Sequence, residues 1–223
     1  MPIIRTENLG HTYRLGKIKV VALRMISLMI ESGEFLAIVG PSGSGKTTLL
    51  NLIGALDSPT EGKIFFEEEE LTCASSKCLA EIRLKKIGFV FQAYNLIPVL
   101  TALENVEYIM LIQGIPERER RERALGVIKK VGLTGYEHRK PMDMSGGQQQ
   151  RVAVARAIAG KPKVVLADEP TANLDSKTGG ELMDLMLELN QQEGITFVFS
   201  THDPMVMERA KRLIRLRDGV IET

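Results

Sequence analysis

Gly40-Pro41-Ser42-Gly43-Ser44-Gly45-Lys46-Thr47 satisfies the pattern G-x-x-x-x-G-K-[ST]. It follows the apolar run Phe35-Leu36-Ala37-Ile38-Val39 and precedes a helical pattern from Lys46 to Leu56. A buried strand, a glycine-rich turn and a helix form the first unit of a doubly wound α/β core. A loop that turns successive backbone N–H groups toward one anion must keep side chains out of the way. Gly40, Gly43 and Gly45 allow that. The helix beginning near Lys46 points its positive end at the same place. Lys46 adds a mobile charge for the β- and γ-phosphates, and the Thr47 hydroxyl is placed to ligate Mg²⁺. With Thr48 beside it, the stretch is the candidate nucleotide cradle. A chance glycine turn would not need the strand before it and the helix after it.

Further apolar runs extend the core outward. Ile87 to Phe91, Val164 to Ala167 and Thr196 to Ser200 are short and nearly continuous, which suits parallel strands covered on both faces. Leu213 to Leu216 and Val220-Ile221 read as a closing strand pair about the Asp218-Gly219 turn. Lys19 to Ile30 has strand-like spacing and ends near the turn signal Gly33. The run Val164-Val165-Leu166-Ala167 ends in Asp168-Glu169. Acids at the carboxyl end of a parallel strand lie at the ligand edge of the sheet. Asp168 can hold Mg²⁺, directly or through water. Glu169 can orient or deprotonate an attacking water.

Between Gln92 and Lys161 the pattern turns helical. Thr101 with Glu104 is a capping box that opens a helix to about Gln113. Pro116 starts another to Val131, and Ser145 a third to Ala159. The expected division is an α/β core with a β subdomain over 1–91 and 162–223, and a helical subdomain over 92–161. The charged runs Glu67 to Glu70 and Glu117 to Arg123 read as solvated faces with i,i+4 pairing.

Composition removes several classes. Lys plus Arg number 29 against 28 acids, so no bulk charge draws the chain to nucleic acid or anionic lipid. No nucleic-acid partner is expected. Trp is absent, so the core must rest on aliphatic residues and Met. Cys73 and Cys78 lack a second pair or a nearby histidine, a poor zinc or redox pattern, and read as free thiols in a reducing compartment. No secretory leader is legible at Met1-Pro2-Ile3-Ile4-Arg5. No apolar run approaches the roughly 20 residues of a membrane span. The expectation is a cytoplasmic protein that another chain holds at a membrane.

Met144-Ser145-Gly146-Gly147-Gln148-Gln149-Gln150-Arg151 narrows the reading. It resembles the LSGGQ signature that separates ABC ATPases from other P-loop proteins, with Met144 in place of the usual leucine. Ser145 is the helix cap, and Gly146 and Gly147 leave backbone donors bare for an anion. Two glycines at a helix start otherwise cost stability. Other family motifs follow the same order along the chain. Tyr13 matches the aromatic that stacks on adenine, and Gln92 the glutamine that touches Mg²⁺ and the attacking water. Asn173-Leu174-Asp175 matches the loop that crosses the dimer interface, and His202 the histidine that contacts the γ-phosphate.

The resemblance implies a P-loop (RecA-like) parallel-sheet core with an antiparallel β subdomain and an inserted α-helical subdomain. It implies ATP and Mg²⁺ as ligands, with Glu169, His202 and Gln92 in catalysis and Thr47, Gln92 and Asp168 at the metal. It implies a head-to-tail homodimer in which Ser145, Gly146, Gly147 and Gln148 of one copy face the cradle of the other. An integral-membrane permease is the implied partner, with the ATPase peripheral on the cytoplasmic face of the membrane.

Gly88-Phe89-Val90-Phe91-Gln92-Ala93-Tyr94-Asn95-Leu96-Ile97-Pro98 and Leu166-Ala167-Asp168-Glu169-Pro170-Thr171-Ala172-Asn173-Leu174-Asp175 resemble the lipoprotein-releasing and macrolide-export branch. That branch implies export or extraction of a hydrophobic cargo or lipoprotein; some relatives instead transmit a signal without cargo. Leu96 to Leu100 is a candidate part of the groove for a permease helix, with core packing as the alternative.

Overall fold

The computed structural model describes residues 2–16 and 18–222. It begins with two long antiparallel strands, β1 (Pro2–Leu15) and β2 (Ile18–Glu31). The alternation of β1 is hard to read because its register with β2 shifts four times between Pro2 and Thr12. Each shift exchanges the faces that successive side chains occupy. On its other edge β1 pairs with β4 (Glu61–Phe66), which pairs with β5 (Glu69–Glu70), giving a four-stranded antiparallel sheet.

The acidic run from Glu67 therefore spans a hairpin turn, which corrects the reading of it as a face with i,i+4 pairing. Glu67 takes φ 55 in that turn and pairs across the fold with Lys86 at 3.1 Å and with Lys163. Those ammonium groups hold its carboxyl below the usual range, Lys163 most strongly. Helical i,i+4 pairing does occur in the second run, between Glu119 and Arg123 at 2.7 Å.

The second sheet carries the chemistry. It joins β3 (Phe35–Val39), β6 (Ile87–Val90), β7 (Val164–Asp168), β8 (Thr196–Thr201), β9 (Arg212–Arg217) and β10 (Val220–Ile221). Their spatial order is β10-β9-β3-β8-β7-β6, parallel throughout except for β10. The period of two sorts side chains into two cores. Phe35, Ala37, Val39, Val165, Ala167, Phe197 and Phe199 face one side; Leu36, Ile38, Val164, Leu166 and Val198 face the other. Phe35 packs against Phe197 and Phe199 at 5.7 and 4.7 Å between ring centroids. Burying each such ring contributes about 1.5–3 kcal/mol.

The helices divide between these faces. α1 (Lys46–Ile53) and α2 (Ser76–Lys86) share the second core with the antiparallel sheet. The other core is covered by α3 (Ala102–Ile112), α4 (Glu117–Lys130), α5 (Gly146–Ala159) and α6 (Ser176–Glu193), with Val206 of α7 (Pro204–Arg209). The Thr101 capping box is present. α1 stops earlier than its apolar pattern suggests, because Gly54 caps it onto Leu50 and Leu52 and Ala55 then turns at φ 54. Among the described residues no helix is long and apolar enough to cross a membrane.

Strand register aligns the site. Val39 is level with Thr201, and Asp168 with Ser200. The carboxyl ends of β3, β7 and β8 thus open together on one edge, where ligands bind in open parallel sheets.

Candidate nucleotide-binding site

The cradle sits where β3 passes into α1. Gly45 holds φ 103, and a Cβ there would lie 2.6 Å from the Ala22 carbonyl oxygen, so no other residue fits the turn. No side chain caps α1 at Gly45, and its first turn carries no acid. Its leading N–H donors and positive end are therefore left for an anion. Lys46 is 7% exposed, and its Nζ donates to the carbonyls of Gly40 and Pro41 at 2.8 and 3.0 Å. The ammonium is thereby held within the loop it follows. Ser44, within that loop, is buried.

The acids converge from β7 and β8. Both carboxylate oxygens of Asp168 accept from Thr47 Oγ1 at 3.1 Å, and Oδ1 also accepts from Ser200 Oγ. Sequence reading missed Ser200 as a site residue. It stands at the end of a buried apolar run, and only the β7–β8 register reveals its partner. Glu169 takes φ 46, a left-handed backbone that costs a non-glycine residue about 1–3 kcal/mol. Its N–H donates to the Ser200 carbonyl at 3.0 Å, which keeps it there. Its Oε1 lies 2.7 Å from His202 Nδ1, and Oε2 accepts from Thr201 Oγ1 at 3.4 Å.

Tyr13, Gln92, Glu169 and His202 join Pro41, Ser42, Gly43, Gly45, Lys46, Thr47 and Thr48 around a cleft of about 660 Å³. That volume lies within the range of small-molecule sites. Tyr13 donates its hydroxyl to Thr48 Oγ1 at 3.4 Å, which links the aromatic wall to α1. Thr47 and Asp168 offer a hydroxyl and a carboxylate in contact. Among the described residues no group of three or more His, Cys, Asp or Glu could enclose a metal. Two protein oxygen groups beside a phosphate cradle fit Mg²⁺, which keeps waters and takes substrate phosphate oxygens as ligands.

Ser145, Gly146, Gly147 and Gln148 are not among the residues lining this cleft. Ser145 Oγ accepts from the Gln148 N–H at 3.3 Å, and Gln148 Oε1 from the Ser145 N–H at 3.0 Å. This box engages Ser145 and Gln148 and leaves the N–H groups of both glycines outside it. The glycines also serve packing inside the chain, a role not apparent from the motif. A Cβ on Gly146 would meet Tyr94 Oη at 2.7 Å, and one on Gly147 would meet Thr178 Cγ2 at 2.4 Å.

Side-chain contacts to backbone carbonyls tie these parts together. Gln150 is fully buried in α5, and its Nε2 donates to the Pro170 carbonyl at 2.8 Å and the Phe91 carbonyl at 3.4 Å. It thus joins the signature helix to the exits of β6 and β7. Asn173 donates to the Gln92 carbonyl at 2.8 Å. Asp175 caps α6, accepting from the Lys177 and Thr178 N–H groups and from the Thr178 hydroxyl at 2.6 Å. The Thr178 hydroxyl and the capped N–H groups hold its carboxyl below the ordinary aspartate value.

An apolar groove of about 540 Å³ opens elsewhere, lined by Leu84, Phe89, Phe91, Tyr108 and Ile112, with Arg156 at its wall. Leu96 to Leu100 do not line it. Leu96 packs toward the core, and the buried Asn105 pins the rest of that loop. Asn105 accepts from the Ile97 N–H at 2.8 Å and donates to the carbonyls of Ile97, Leu100 and Thr101. Val99 of the same stretch stays exposed. Cys73 and Cys78 are free thiols.

Comparison with known proteins agrees with this geometry. The ABC transporter family profile matches residues 23–172. The chain is 47% identical over 224 residues to the uncharacterized ABC transporter ATP-binding protein MJ0796 of Methanocaldococcus jannaschii, covering 99% of this chain and 95% of that one. It is 45% identical to the macrolide export ATP-binding/permease protein MacB of Syntrophobacter fumaroxidans, over 100% of this chain but only 31% of that protein. Its fold matches a dimeric structure of a post-hydrolysis state of the ATP-binding cassette MJ0796 bound to ADP and Pi. The TM-score is 0.91 at 46% identity, with 99% and 97% of the two chains covered.

Proposed function

The chain belongs to the ABC transporter family of ATP-binding proteins and is an ATPase of that family, and from that premise we propose that two copies close head to tail around two ATP molecules to drive an integral-membrane permease. The observation that carries this reading is the separation of two donor sets. Pro41, Lys46, Thr47, Glu169 and His202 line one cleft, with Asp168 bonded to Thr47, while the bare N–H groups of Gly146 and Gly147 lie outside it. Each copy holds what the other's γ-phosphate lacks. That the relative bound to ADP and Pi is dimeric supports a nucleotide-bound pair of copies.

In this reading Tyr13 stacks on the adenine, and the loop from Gly40 to Thr48 grips the phosphates. Lys46 exchanges its loop carbonyls for phosphate oxygens. Thr47 and Asp168 would hold Mg²⁺ with Gln92 nearby; when bound, the ion screens charge on the phosphates. Glu169 orients the attacking water and takes its proton, and His202 steadies the Glu169 carboxylate while reaching the γ-phosphate. The second copy's Ser145, Gly146, Gly147 and Gln148 complete the anion site and exclude water. Hydrolysis removes the anion that both copies hold, so the closed state loses its differential stabilisation and opens.

The apolar groove beside Phe89, Phe91 and Tyr108 is the seat we assign to a permease helix, which keeps the ATPase at the cytoplasmic face of the membrane. Similarity to a macrolide export ATP-binding/permease protein favours export or extraction of a hydrophobic cargo or lipoprotein. The test is size-exclusion chromatography of Glu169→Gln with ATP. A dimer that disperses when ATP is removed is expected; a monomer at every concentration tested overturns the sandwich.

A further inference from the structure

His11 lies directly behind Tyr13. Their ring centroids are 4.4 Å apart at 76°, an edge-to-face contact. Tyr13 is 37% exposed and lines the cleft, whereas His11 is 6% exposed. The register between β1 and β2 shifts on both sides of His11, a local irregularity of the kind that re-aims side chains beside functional sites.

The contacts continue beyond the two rings. His11 Nε2 faces Asp57 Oδ2 at 3.5 Å, and the Asp57 N–H donates to the Asn51 carbonyl of α1 at 3.3 Å. At the other end Tyr13 donates to Thr48 Oγ1, also on α1. A row running Thr48, Tyr13, His11, Asp57 therefore starts on the phosphate-binding helix and returns to the loop that leaves it. Core packing alone does not explain a histidine here. Its Nδ1 is buried with no hydrogen-bond partner among the described residues, an unfavourable position that an apolar side chain would avoid. The face toward Asp57 and the edge toward Tyr13 are what the imidazole supplies.

We propose that His11, held by Asp57, is a positioning residue that sets the Tyr13 ring for the nucleotide base and locks base recognition to the phosphate-binding helix. This rests on the reading of Tyr13 as the base-stacking residue. The effect falls on affinity for the base, not on phosphate binding or on chemistry.

The test compares calorimetric Kd values for ATP and for inorganic tripolyphosphate, without divalent metal so that no turnover intervenes. The proteins are wild type, Tyr13→Ala, His11→Ala and Asp57→Ala. His11→Ala should weaken ATP about three- to tenfold, the worth of one aromatic contact, and leave tripolyphosphate unchanged. Asp57 is partly exposed, so Asp57→Ala opens no cavity and decides the matter if His11→Ala does not fold; it should weaken ATP alone, by a smaller factor. Equal weakening of both ligands would make the row merely structural and overturn the proposal. So would unchanged ATP affinity in His11→Ala and Asp57→Ala while Tyr13→Ala is weakened. If Tyr13→Ala itself binds ATP like wild type, the base-stacking reading fails and the proposal falls with it.

Discussion

His202 Nδ1 and Glu169 Oε1 stand 2.7 Å apart at the ends of neighbouring parallel strands, and Glu169 reaches that contact from a left-handed backbone at φ 46. The strain is retained because the Glu169 N–H bonds the Ser200 carbonyl and its carboxylate meets both Thr201 and His202. A backbone distorted at an acid that faces the cleft is the kind of cost kept where geometry serves chemistry.

Removing that acid's basicity should separate binding from turnover. Glu169→Gln keeps the side-chain shape and should leave ATP affinity intact while lowering kcat by about 10²- to 10⁴-fold, the usual worth of a general base. Steady-state phosphate release alongside an ATP-binding isotherm checks it. Turnover near wild type would assign the proton to another group.

Lys46 should behave differently, because its charge is needed for the phosphates themselves. Lys46→Ala should abolish measurable nucleotide binding, and unchanged ATP affinity in that variant would refute its placement. The substitution also removes donors from the Gly40 and Pro41 carbonyls. A thermal melt therefore accompanies the isotherm to show that the variant is folded.

Gly147 offers a test inside one chain. A Cβ there would lie 2.4 Å from Thr178 Cγ2, so Gly147→Ala should destabilise the fold by about 1–3 kcal/mol through overpacking. Adding Thr178→Ser removes that methyl and keeps the hydroxyl that Asp175 accepts. The double variant should recover most of the loss in urea denaturation. No recovery would mean that backbone conformation, not space, requires the glycine.

Acid should loosen the start of α6. The Thr178 hydroxyl and the capped N–H groups hold the Asp175 carboxyl below its ordinary value of 3.8. A depressed folded-state value means the cap contributes fully above that ordinary value and is lost as pH falls through the lower one. Urea midpoints of wild type and Asp175→Asn should therefore converge as pH drops below about 4. A constant gap from neutral pH down to 3 would contradict the assignment.

Local chemistry made much of this legible from residues alone. The P-loop, the Thr101 capping box, the Ser145 cap, the buried strands and the acids ending β7 are patterns carried by neighbours along the chain. Long-range placement was not legible in the same way. β1 hides behind its register shifts, α2 and α6 carry no distinctive entry signal beyond their caps, and Glu67 finds lysines from distant elements.

Sequence by itself determined the phosphate loop, the strand ends and the helix caps, because a hydrogen bond or a φ value within a few residues decides each. Only the tertiary structure decided that Ser200 bonds Asp168, that Gly147 makes room for Thr178, that Asn105 holds the loop at Ile97 and Leu100, and that His11 backs Tyr13. Those contacts follow from strand order and register, which many distant apolar surfaces settle together as they are buried.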